Sequence, residues 1–449
     1  MDVDVVVIGL GPGGEYAAQK LAEAGLRVVG VEKALVGGEC PFYGCIPSKM
    51  IIRAADTLAE ADRAATLAGR VDVSPDYALV ANRVDKQATN HWNDESHATR
   101  LEEAGVQIVR GHGRLDGPGR VVVDGTTYVA TRGVVLNAGT EPAVPPIDGL
   151  ADTPYWTNRE AMRLTELPAS LVVIGGGAIG AELAQAFARF GVRVTVVEVL
   201  DRILGPEEPE SAQLIGDVFR REGLEVVTGA EITRVDHDGT FTLTLADRTI
   251  ESEQLLVAAG RRTNLSDVGL ETLDLDPGAK VLETDERLRA GERLWAVGDI
   301  TGKGAFTHVS MYQAAVVVRD ILGEAGPWAD YRAVSRVTFT DPEVGSVGMT
   351  ERQARDAGIT VVTGHSDLPE SSRGWIHQAG NDGLIKLVAD VDRGILVGAT
   401  SIGPSGGEVL GLLAAAVHAE IPVATLRGMH FAYPTFHRAI EVALADLAL

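Results

Sequence analysis

The sequence predicts an α/β protein in which one strand–turn–helix–strand unit occurs twice and a C-terminal α+β region follows. Short β-branched runs lead into glycine-rich turns at residues 4–14 and again at residues 171–180. From about Tyr331 the chain alternates strand-like and helix-like segments, but no such glycine turn recurs. A chain of 449 residues is long enough for about three domains. We therefore predict domains over residues 1–150, 151–265 and 331–449, with residues 266–330 as a segment that returns to the first domain.

The first unit is predicted to be a buried parallel strand, a glycine turn, a helix and a second strand. DVVVIG at residues 4–9 leads into Gly9, Gly11 and Gly14, which fit the spacing G-x-G-x-x-G, and the second strand ends at Glu32. In a Rossmann-like unit these glycines make the turn, admit a pyrophosphate and let the helix pack on the strand. The helix N-terminus then faces the phosphates and the acid binds the ribose hydroxyls. This unit is therefore predicted to bind a dinucleotide.

The second unit repeats this pattern with the same spacing. Its glycines are Gly175, Gly177 and Gly180, and its second strand ends at Glu198. The first glycine and the acid are 23 residues apart in both units, from 9 to 32 and from 175 to 198. The alternative is two units that bind nothing, but agreement in pattern, context and spacing favours two dinucleotide sites. A carboxylate at Glu198 favours NADH over NADPH, although Arg202 could soften that preference.

A pair of thiols follows the first unit, in the stretch 37–49 with the sequence GGECPFYGCIPSK. Cys40 and Cys45 are the only cysteines of the chain and are separated by four residues. A structural disulfide usually closes a longer loop, because loop closure is the source of its stabilisation. A disulfide across so short a turn is strained and easily reduced. The alternative is two buried, inert thiols, but the spacing and its surroundings favour a redox pair beside the first nucleotide site.

Other segments supply further candidate cofactor-binding residues. Asp299 comes directly after the strand-like run LWAVG, where an acid can bind a polyol chain, although it could also be a simple turn aspartate. Residues 50–70 and 84–104 are predicted to be helical. We also include Gly113, Gly139, Gly260 and Thr307 among the cofactor-binding candidates. No metal site is predicted.

Composition and charge disfavour several classes of partner. The chain carries 40 Lys and Arg against 63 Asp and Glu, and this net charge of −23 disfavours nucleic acid, whose phosphates need clustered cations. The N-terminal segment MDVDVVVIGL has no basic stretch and no small-residue cleavage site, so no signal peptide is predicted. No uncharged apolar run reaches the length of a membrane span. Two cycling thiols fit a reducing compartment, so we expect a cytoplasmic protein.

The whole chain resembles the class I flavoprotein (pyridine nucleotide-) disulfide oxidoreductases, the family of dihydrolipoamide dehydrogenase, glutathione reductase and mercuric reductase. The resemblance rests on GGxCxxxGCxPSK at 37–49, AGRRTN at 259–264, AVGDIT at 296–301 and FTDPEVGSVGMTE at 339–351, each in the family's order. It implies FAD on the first unit, NAD(P)H on the second, and a homodimer formed through the C-terminal domain.

The resemblance also implies roles for individual residues. It matches Lys49 and Glu182 to an ion pair beside the flavin ring, and Asp299 to the contact with the ribityl chain. Cys45 matches the thiol nearest the flavin, and Cys40 the thiol that attacks the substrate. The residues that match the FAD nucleotide site are Gly9, Gly11, Gly14 and Glu32.

The chain departs from the family at its C-terminus. Reductases of small disulfides carry H-P-T-x-S-E, where His relays protons to the dithiol and Glu orients it. Here the string is Y-P-T-F-H-R, with Tyr433 and Arg438 at those positions. A phenol with a pKa of about 10 is a poor base at neutral pH. His437 and His430 are close in sequence, but rotation along a helix would point His437 away from the direction of Tyr433. An interface or core role is then favoured over a substitute base, and both Tyr433 and His437 stay candidate catalytic residues.

The main hypothesis is an enzyme that moves electrons from NAD(P)H through FAD to Cys40–Cys45 and on to a thiol or disulfide substrate. Without the usual His, slow turnover of lipoamide or glutathione disulfide is expected. Tyr433 is similar to the mercuric reductase branch, whose C-terminal cysteine pair this chain lacks. The alternatives are electron transfer to metals, quinones or dyes, an atypical thioether-cleaving relative, and a redox-responsive binding protein.

Overall fold

The computed structural model describes every residue from Met1 to Leu449. The chain forms two compact units, which comprise Met1–Ser48, Asn82–Ala143 and Arg261–Asp330 in the first, and Lys49–Ala81, Val144–Gly260 and Tyr331–Leu449 in the second. The strands are β1 (Asp2–Ile8), β2 (Val28–Glu32), β3 (Val106–Arg110), β4 (Arg114–Leu115), β5 (Arg120–Val123), β6 (Thr126–Leu136), β7 (Thr140–Pro142), β8 (Ser170–Ile174), β9 (Arg193–Val197), β10 (Glu225–Val227), β11 (Ile232–His237), β12 (Phe241–Leu245), β13 (Thr249–Ser252), β14 (Gln254–Val257), β15 (Arg261–Thr263), β16 (Arg289–Gly291), β17 (Leu294–Ala296), β18 (Ser335–Thr338), β19 (Glu343–Gly348), β20 (Val361–Asp367), β21 (Leu384–Asp390) and β22 (Ile395–Gly403). The helices are α1 (Pro12–Glu23), α2 (Glu39–Phe42), α3 (Cys45–Leu67), α4 (Tyr77–Arg83), α5 (Glu95–Glu103), α6 (Asn158–Ala161), α7 (Ala178–Arg189), α8 (Pro209–Arg221), α9 (Thr307–Leu322), α10 (Glu351–Asp356), α11 (Ser372–His377), α12 (Gly406–His418), α13 (Val423–Arg427) and α14 (Arg438–Asp446).

A largely parallel sheet forms the centre of the first unit. Its strand order is β16-β17-β6-β1-β2-β3, and the β4–β5 pair extends from β6. β1 runs parallel to both β2 and β6, and side chains that alternate along β1 contribute to two separate apolar clusters. Strands buried on both faces in this way favour continuous β-branched runs. Because β1 and β2 are parallel, the turn that follows Ile8 and the acid that ends β2 lie at the same edge of the sheet.

The second unit contains three sheets. Strands β10-β9-β8-β14 form a parallel sheet, which repeats the arrangement of the first unit, and β11-β12-β13 form an antiparallel one. The five strands β18-β19-β22-β21-β20 are antiparallel, and α12 and α14 bury their apolar faces against them. The predicted α/β class, with a C-terminal α+β part, is therefore confirmed. The domain boundaries stay predictions.

The two helical predictions differ from the structure, the first at its ends and the second in its interior. Helix α3 begins earlier than predicted, at Cys45, since Pro47 lies in its first turn, where a missing N–H costs no helical bond. The predicted helix over 84–104 is interrupted: a short π-helix covers Val84–Ala88, and α5 begins only at Glu95. The Thr89 hydroxyl donates to the carbonyl oxygens of Val84 and Asp85, at 3.0 and 3.1 Å, and so competes with the backbone bonds of a continuous helix.

Candidate active site

The glycine turn of the first unit leaves no room for side chains. Gly9 has a φ of +88°, and a Cβ built on it would lie 2.2 Å from the carbonyl oxygen of Asn137. A Cβ on Gly14 would lie 1.9 Å from the carbonyl oxygen of Gly9. Gly11 is the residue before α1, and its backbone is extended. The turn therefore packs the start of α1 tightly against the end of β1, beside the side chains of Asn137 and Ser310.

Glu32 is buried at the end of β2 and is tied to this turn. Its two carboxylate oxygens accept from the N–H groups of Leu10 and Ala34, at 2.7 and 2.8 Å. Burial raises the pKa of Glu32, while both N–H bonds act to lower it. Each oxygen keeps a lone pair, so the carboxylate can still accept from ribose hydroxyls.

The second unit has the same hydrogen-bond pattern. Glu198 accepts from the N–H groups of Gly176 and Leu200, at 2.7 and 2.9 Å. A Cβ on Gly180 would lie 2.0 Å from the carbonyl oxygen of Gly175, whereas a Cβ on Gly177 would meet nothing within 4 Å. The repeat found in the sequence is thus a repeat in backbone geometry.

Cys40 and Cys45 lie together in the first unit, Cys40 in α2 and Cys45 as the first residue of α3. Both are half-buried free thiols. A hydrogen bond with the Cys45 thiol, together with burial, raises the pKa of Cys40 well above its usual range. Cys45 Sγ lies 3.3 Å from Thr307 Oγ1, a hydroxyl at the N-terminus of the 16-residue helix α9. Because a hydroxyl and a helix N-terminus both stabilise negative charge, this contact suits a thiolate at Cys45.

Lys49 and Glu182 form an ion pair in the second unit. Lys49 Nζ donates to Glu182 Oε2 at 2.8 Å, and Glu182 is buried. The N–H of Phe339 donates to the other oxygen, Oε1, at 2.8 Å, and the Phe339 ring centroid lies 4.7 Å from Lys49 Nζ. Phe339 is not among the residues predicted from the sequence, although it opens the string FTDPEVGSVGMTE.

Asp299 belongs to a polar chain that was also not foreseen. Thr140 Oγ1 donates to Asp299 Oδ2 at 2.6 Å, and Arg261 Nε donates to Thr140 Oγ1 at 2.7 Å. Arg261 also lies 3.5 Å from Glu39, the residue before Cys40. In the sequence, only their positions beside predicted cofactor-binding glycines could have indicated these two residues: Thr140 follows Gly139, and Arg261 follows Gly260. Both glycines have positive φ, of +66° and +111°.

Gly113 occupies a packing position. A Cβ on Gly113 would lie 3.1 Å from the side chain of Val31 and 3.3 Å from that of Ile8. It therefore sits over the carboxyl ends of β1 and β2, beside the first nucleotide turn.

The C-terminal candidates Tyr433 and His437 lie in turns. Helix α14 begins at Arg438 with His437 as the preceding residue, so the predicted helical relation between Tyr433 and His437 is wrong. Pro434 and the turns after it keep residues 433–437 out of the helix. Tyr433 is 67% exposed, and the guanidinium carbon of Arg438 lies 5.3 Å from its ring centroid. His437 is half-buried and His430 exposed.

Comparison with known proteins accounts for nearly the whole chain. Residues 3–314 match the family model described as pyridine nucleotide-disulphide oxidoreductase, and residues 334–444 match the dimerisation domain of the same name. This chain belongs to the pyridine nucleotide-disulphide oxidoreductase family. The oxidoreductase is 34% identical to a mercuric reductase of Streptomyces lividans, over 98% of this chain and 95% of that protein. It is 33% identical to a dihydrolipoyl dehydrogenase of Halobacterium salinarum, over 97% and 94% of the two chains.

Solved structures show that the similarity extends to the fold of the whole chain. The oxidoreductase is similar to the Cu(II) complex of the HOCl-induced flavoprotein disulfide reductase RclA from Escherichia coli, with a TM-score of 0.85, 26% identity and 99% of both chains covered. It is also similar to LpdA from Mycobacterium tuberculosis, with a TM-score of 0.86, 27% identity and the same coverage. No helix in the structure combines the length and the apolar character needed to span a membrane.

Family membership confirms the predicted enzyme class. The protein is an NAD(P)H-dependent flavoprotein disulfide oxidoreductase, it uses FAD and a pyridine nucleotide, and its dimerisation domain supports a homodimer. The first unit fits FAD on its own geometry: the tight glycine turn at the N-terminus of α1 suits a pyrophosphate, and the lone pairs of Glu32 suit a ribose.

Proposed function

We propose that the oxidoreductase passes electrons from NADH to a disulfide or another thiol-reactive acceptor through Cys40 and Cys45. The observation that carries this proposal is the contact between the two thiols beside Thr307, in the unit that also holds the turn from Gly9 to Glu32. Cycling thiols suit a reducing compartment, so we also propose that the enzyme works in the cytoplasm.

The proposed residue roles follow from these contacts. When bound, FAD accepts hydride from a reduced nicotinamide and supplies two electrons to sulfur. Glu32 and the α1 N-terminus bind its nucleotide half, and Asp299, oriented by Thr140, binds the polyol chain. Lys49 is held by Glu182 and provides a fixed positive charge. Thr307 stabilises the Cys45 thiolate.

The acceptor step is thiol–disulfide exchange. Cys40 Sγ attacks one sulfur of the substrate disulfide and gives its proton to the Cys45 thiolate, which lies within hydrogen-bonding reach. The substrate S–S bond breaks, and the first leaving thiolate takes that proton. Cys45 then attacks Cys40 Sγ, which releases the second thiolate to be protonated by water and restores the disulfide. One NADH and one proton thus convert one disulfide to two thiols.

Anaerobic titration of the purified holoenzyme with NADH tests this function. We expect long-wavelength absorbance after the first equivalent, because the Cys45 thiolate would then lie against oxidised flavin. Two thiols per chain should become open to alkylation at the same point. Direct bleaching of the flavin with both cysteines still unreactive would contradict the proposal.

Preference for NADH is proposed on the geometry of Glu198. Its carboxylate is buried at the end of β9 and held by two N–H groups, so a 2′-phosphate would meet a fixed negative charge. Arg202 donates instead to the Gly205 carbonyl oxygen, at 3.1 Å.

We expect Glu198→Ser to lower the ratio of kcat/KM for NADH over NADPH about tenfold or more. Glu251→Ser, at an exposed acid of the same unit, should leave the ratio unchanged. An unchanged ratio in Glu198→Ser would refute the assignment.

A soft metal ion is a second candidate acceptor. Tyr433 stands exposed where small-disulfide reductases carry a proton-relaying His, and one similar protein is a mercuric reductase. The chain has no cysteines beyond Cys40 and Cys45 to deliver a metal ion, so the dithiol itself would have to bind it.

A further inference from the structure

A segment remote in sequence holds the turn between the two cysteines. We name residues 89–97 the clamp segment and residues 36–45 the redox loop. Both belong to the first unit. None of the sequence motifs includes the clamp segment, and the proposed function assigns it no role.

The clamp segment contacts the redox loop at three points. Trp92 Nε1 donates to the carbonyl oxygen of Phe42 at 3.2 Å, between the two cysteines. Asp94 Oδ2 accepts from the N–H of Val36 at 2.6 Å. The ring of His97 packs on that of Phe42, with centroids 5.7 Å apart, and a Cβ on Gly37 would lie 3.0 Å from its Nδ1. The clamp segment thus contacts the redox loop at its first residue, Val36, and at both the backbone and the side chain of Phe42.

The clamp segment is itself held in an unusual backbone conformation. Asn90, His91 and Trp92 have successive φ values of +46°, +60° and +53°. Non-glycine residues rarely adopt this region, and three in a row are strained. The Thr89 side chain is almost fully buried, and its hydroxyl bonds to the preceding turn and holds the strained residues in place. Strain that the surrounding structure maintains is a feature of functional sites.

The far side of the clamp segment is anchored as well. Asp94 also accepts from Arg110 at 2.6 Å, and His97 Nδ1 lies 2.9 Å from Glu15 Oε1. Glu15 lies in α1 and Arg110 ends β3, so both anchors belong to the central α/β core. The clamp segment therefore links the redox loop to the rigid part of the unit.

We propose that Trp92 is a positioning residue that restricts the redox loop and thereby sets the equilibrium between the dithiol and the disulfide. The disulfide constrains its own short turn, so the clamp segment matters most when the thiols are separate. With the clamp intact, the dithiol form keeps little freedom and its sulfurs stay in contact. Loosening the clamp gives the dithiol form extra conformational entropy and makes the disulfide easier to reduce. This inference rests on the proposed function, since it takes Cys40 and Cys45 as the redox pair.

The test is the dithiol–disulfide equilibrium of Trp92→Phe, which removes the indole N–H and keeps an aromatic ring. The holoenzyme is equilibrated in oxidised and reduced dithiothreitol and then alkylated. Because the chain has only two cysteines, the labelled fraction reports on this pair alone. We expect the equilibrium to move towards the dithiol about threefold to tenfold. That corresponds to a potential about 15–30 mV more positive, at about 30 mV per tenfold.

Trp295→Phe is the matched control. Trp295 Nε1 donates to Asp320 Oδ2 at 2.9 Å, so this variant also loses one indole hydrogen bond in the same unit. Asp320 lies 13 residues along α9 from Thr307, about 20 Å at the helical rise. The control should keep the wild-type equilibrium. An unchanged equilibrium in Trp92→Phe, or an equal shift in both variants, would overturn the inference.

Two further measurements keep the outcome decisive. If Trp92→Phe does not retain FAD, Asp94→Asn is measured in its place, because it weakens the bond to Val36, and the same outcomes decide. The wild-type NADH titration tests the redox pair separately. A wild type that forms its dithiol normally while the variants show no shift rejects the clamp and leaves the proposed function intact.

Discussion

Replacing Cys40 with Ser should lower NADH-dependent disulfide reduction about a thousandfold or more, because it removes the nucleophile that attacks the substrate. The variant should keep its FAD, since none of the contacts of the nucleotide turn involves this thiol. Reduction of a quinone or a dye that takes electrons directly from flavin should fall less than about threefold. Steady-state rates with a panel of disulfides, soft metal ions, quinones and dyes measure the difference.

Cys45→Ser is the companion variant. It should lose disulfide reduction equally and also lose the long-wavelength absorbance, because it removes the proposed thiolate, whose sulfur lies 3.3 Å from Thr307 Oγ1. If Cys40→Ser kept its disulfide turnover, the assignment of the attacking thiol would be wrong. If wild type reduced only quinones and dyes and neither substitution mattered, the enzyme would be an electron transferase in which the dithiol is dispensable.

The paired substitutions Gly14→Ala and Gly180→Ala should separate the two nucleotide sites. The Cβ added in Gly14→Ala would lie 1.9 Å from the carbonyl oxygen of Gly9, and the Cβ added in Gly180→Ala would lie 2.0 Å from that of Gly175, so the two clashes are similar. Overpacking of this kind costs about 1–3 kcal/mol. We expect the affinity for FAD to fall about tenfold to a hundredfold in Gly14→Ala, and the KM for NADH to rise by a similar factor in Gly180→Ala.

The readouts are the FAD content after gel filtration and the KM for NADH. Gly14→Ala should retain little FAD after gel filtration and regain its flavin absorbance in excess FAD, whereas Gly180→Ala should retain its FAD. Gly411→Ala is the control, because a Cβ there meets nothing within 4 Å and the residue lies inside α12. Loss of FAD from Gly180→Ala, with FAD retained in Gly14→Ala, would reverse the assignment of the two units.

The sequence by itself determined the local chemistry of this protein. The turn at Gly9 and its repeat at Gly175 lie within short segments, in which chain geometry alone brings glycine, helix start and acid together. The pair Cys40–Cys45 is equally local, since four intervening residues decide which sulfurs can meet. Such features depend on neighbours along the chain, and a pattern of residue types is enough to predict them.

Only the tertiary structure decided what surrounds these features. Thr307 contacts Cys45, which is 262 positions away in the sequence, and Arg261 donates to Thr140 across 121 positions. Trp92 donates to the redox loop across 50 positions. Composition and periodicity carry no information about which distant side chains become neighbours. The C-terminus shows the converse, because a helix assumed from Tyr433 to His437 begins only at Arg438. Contacts between residues that are distant in sequence form only when the chain folds, so only the tertiary structure shows them.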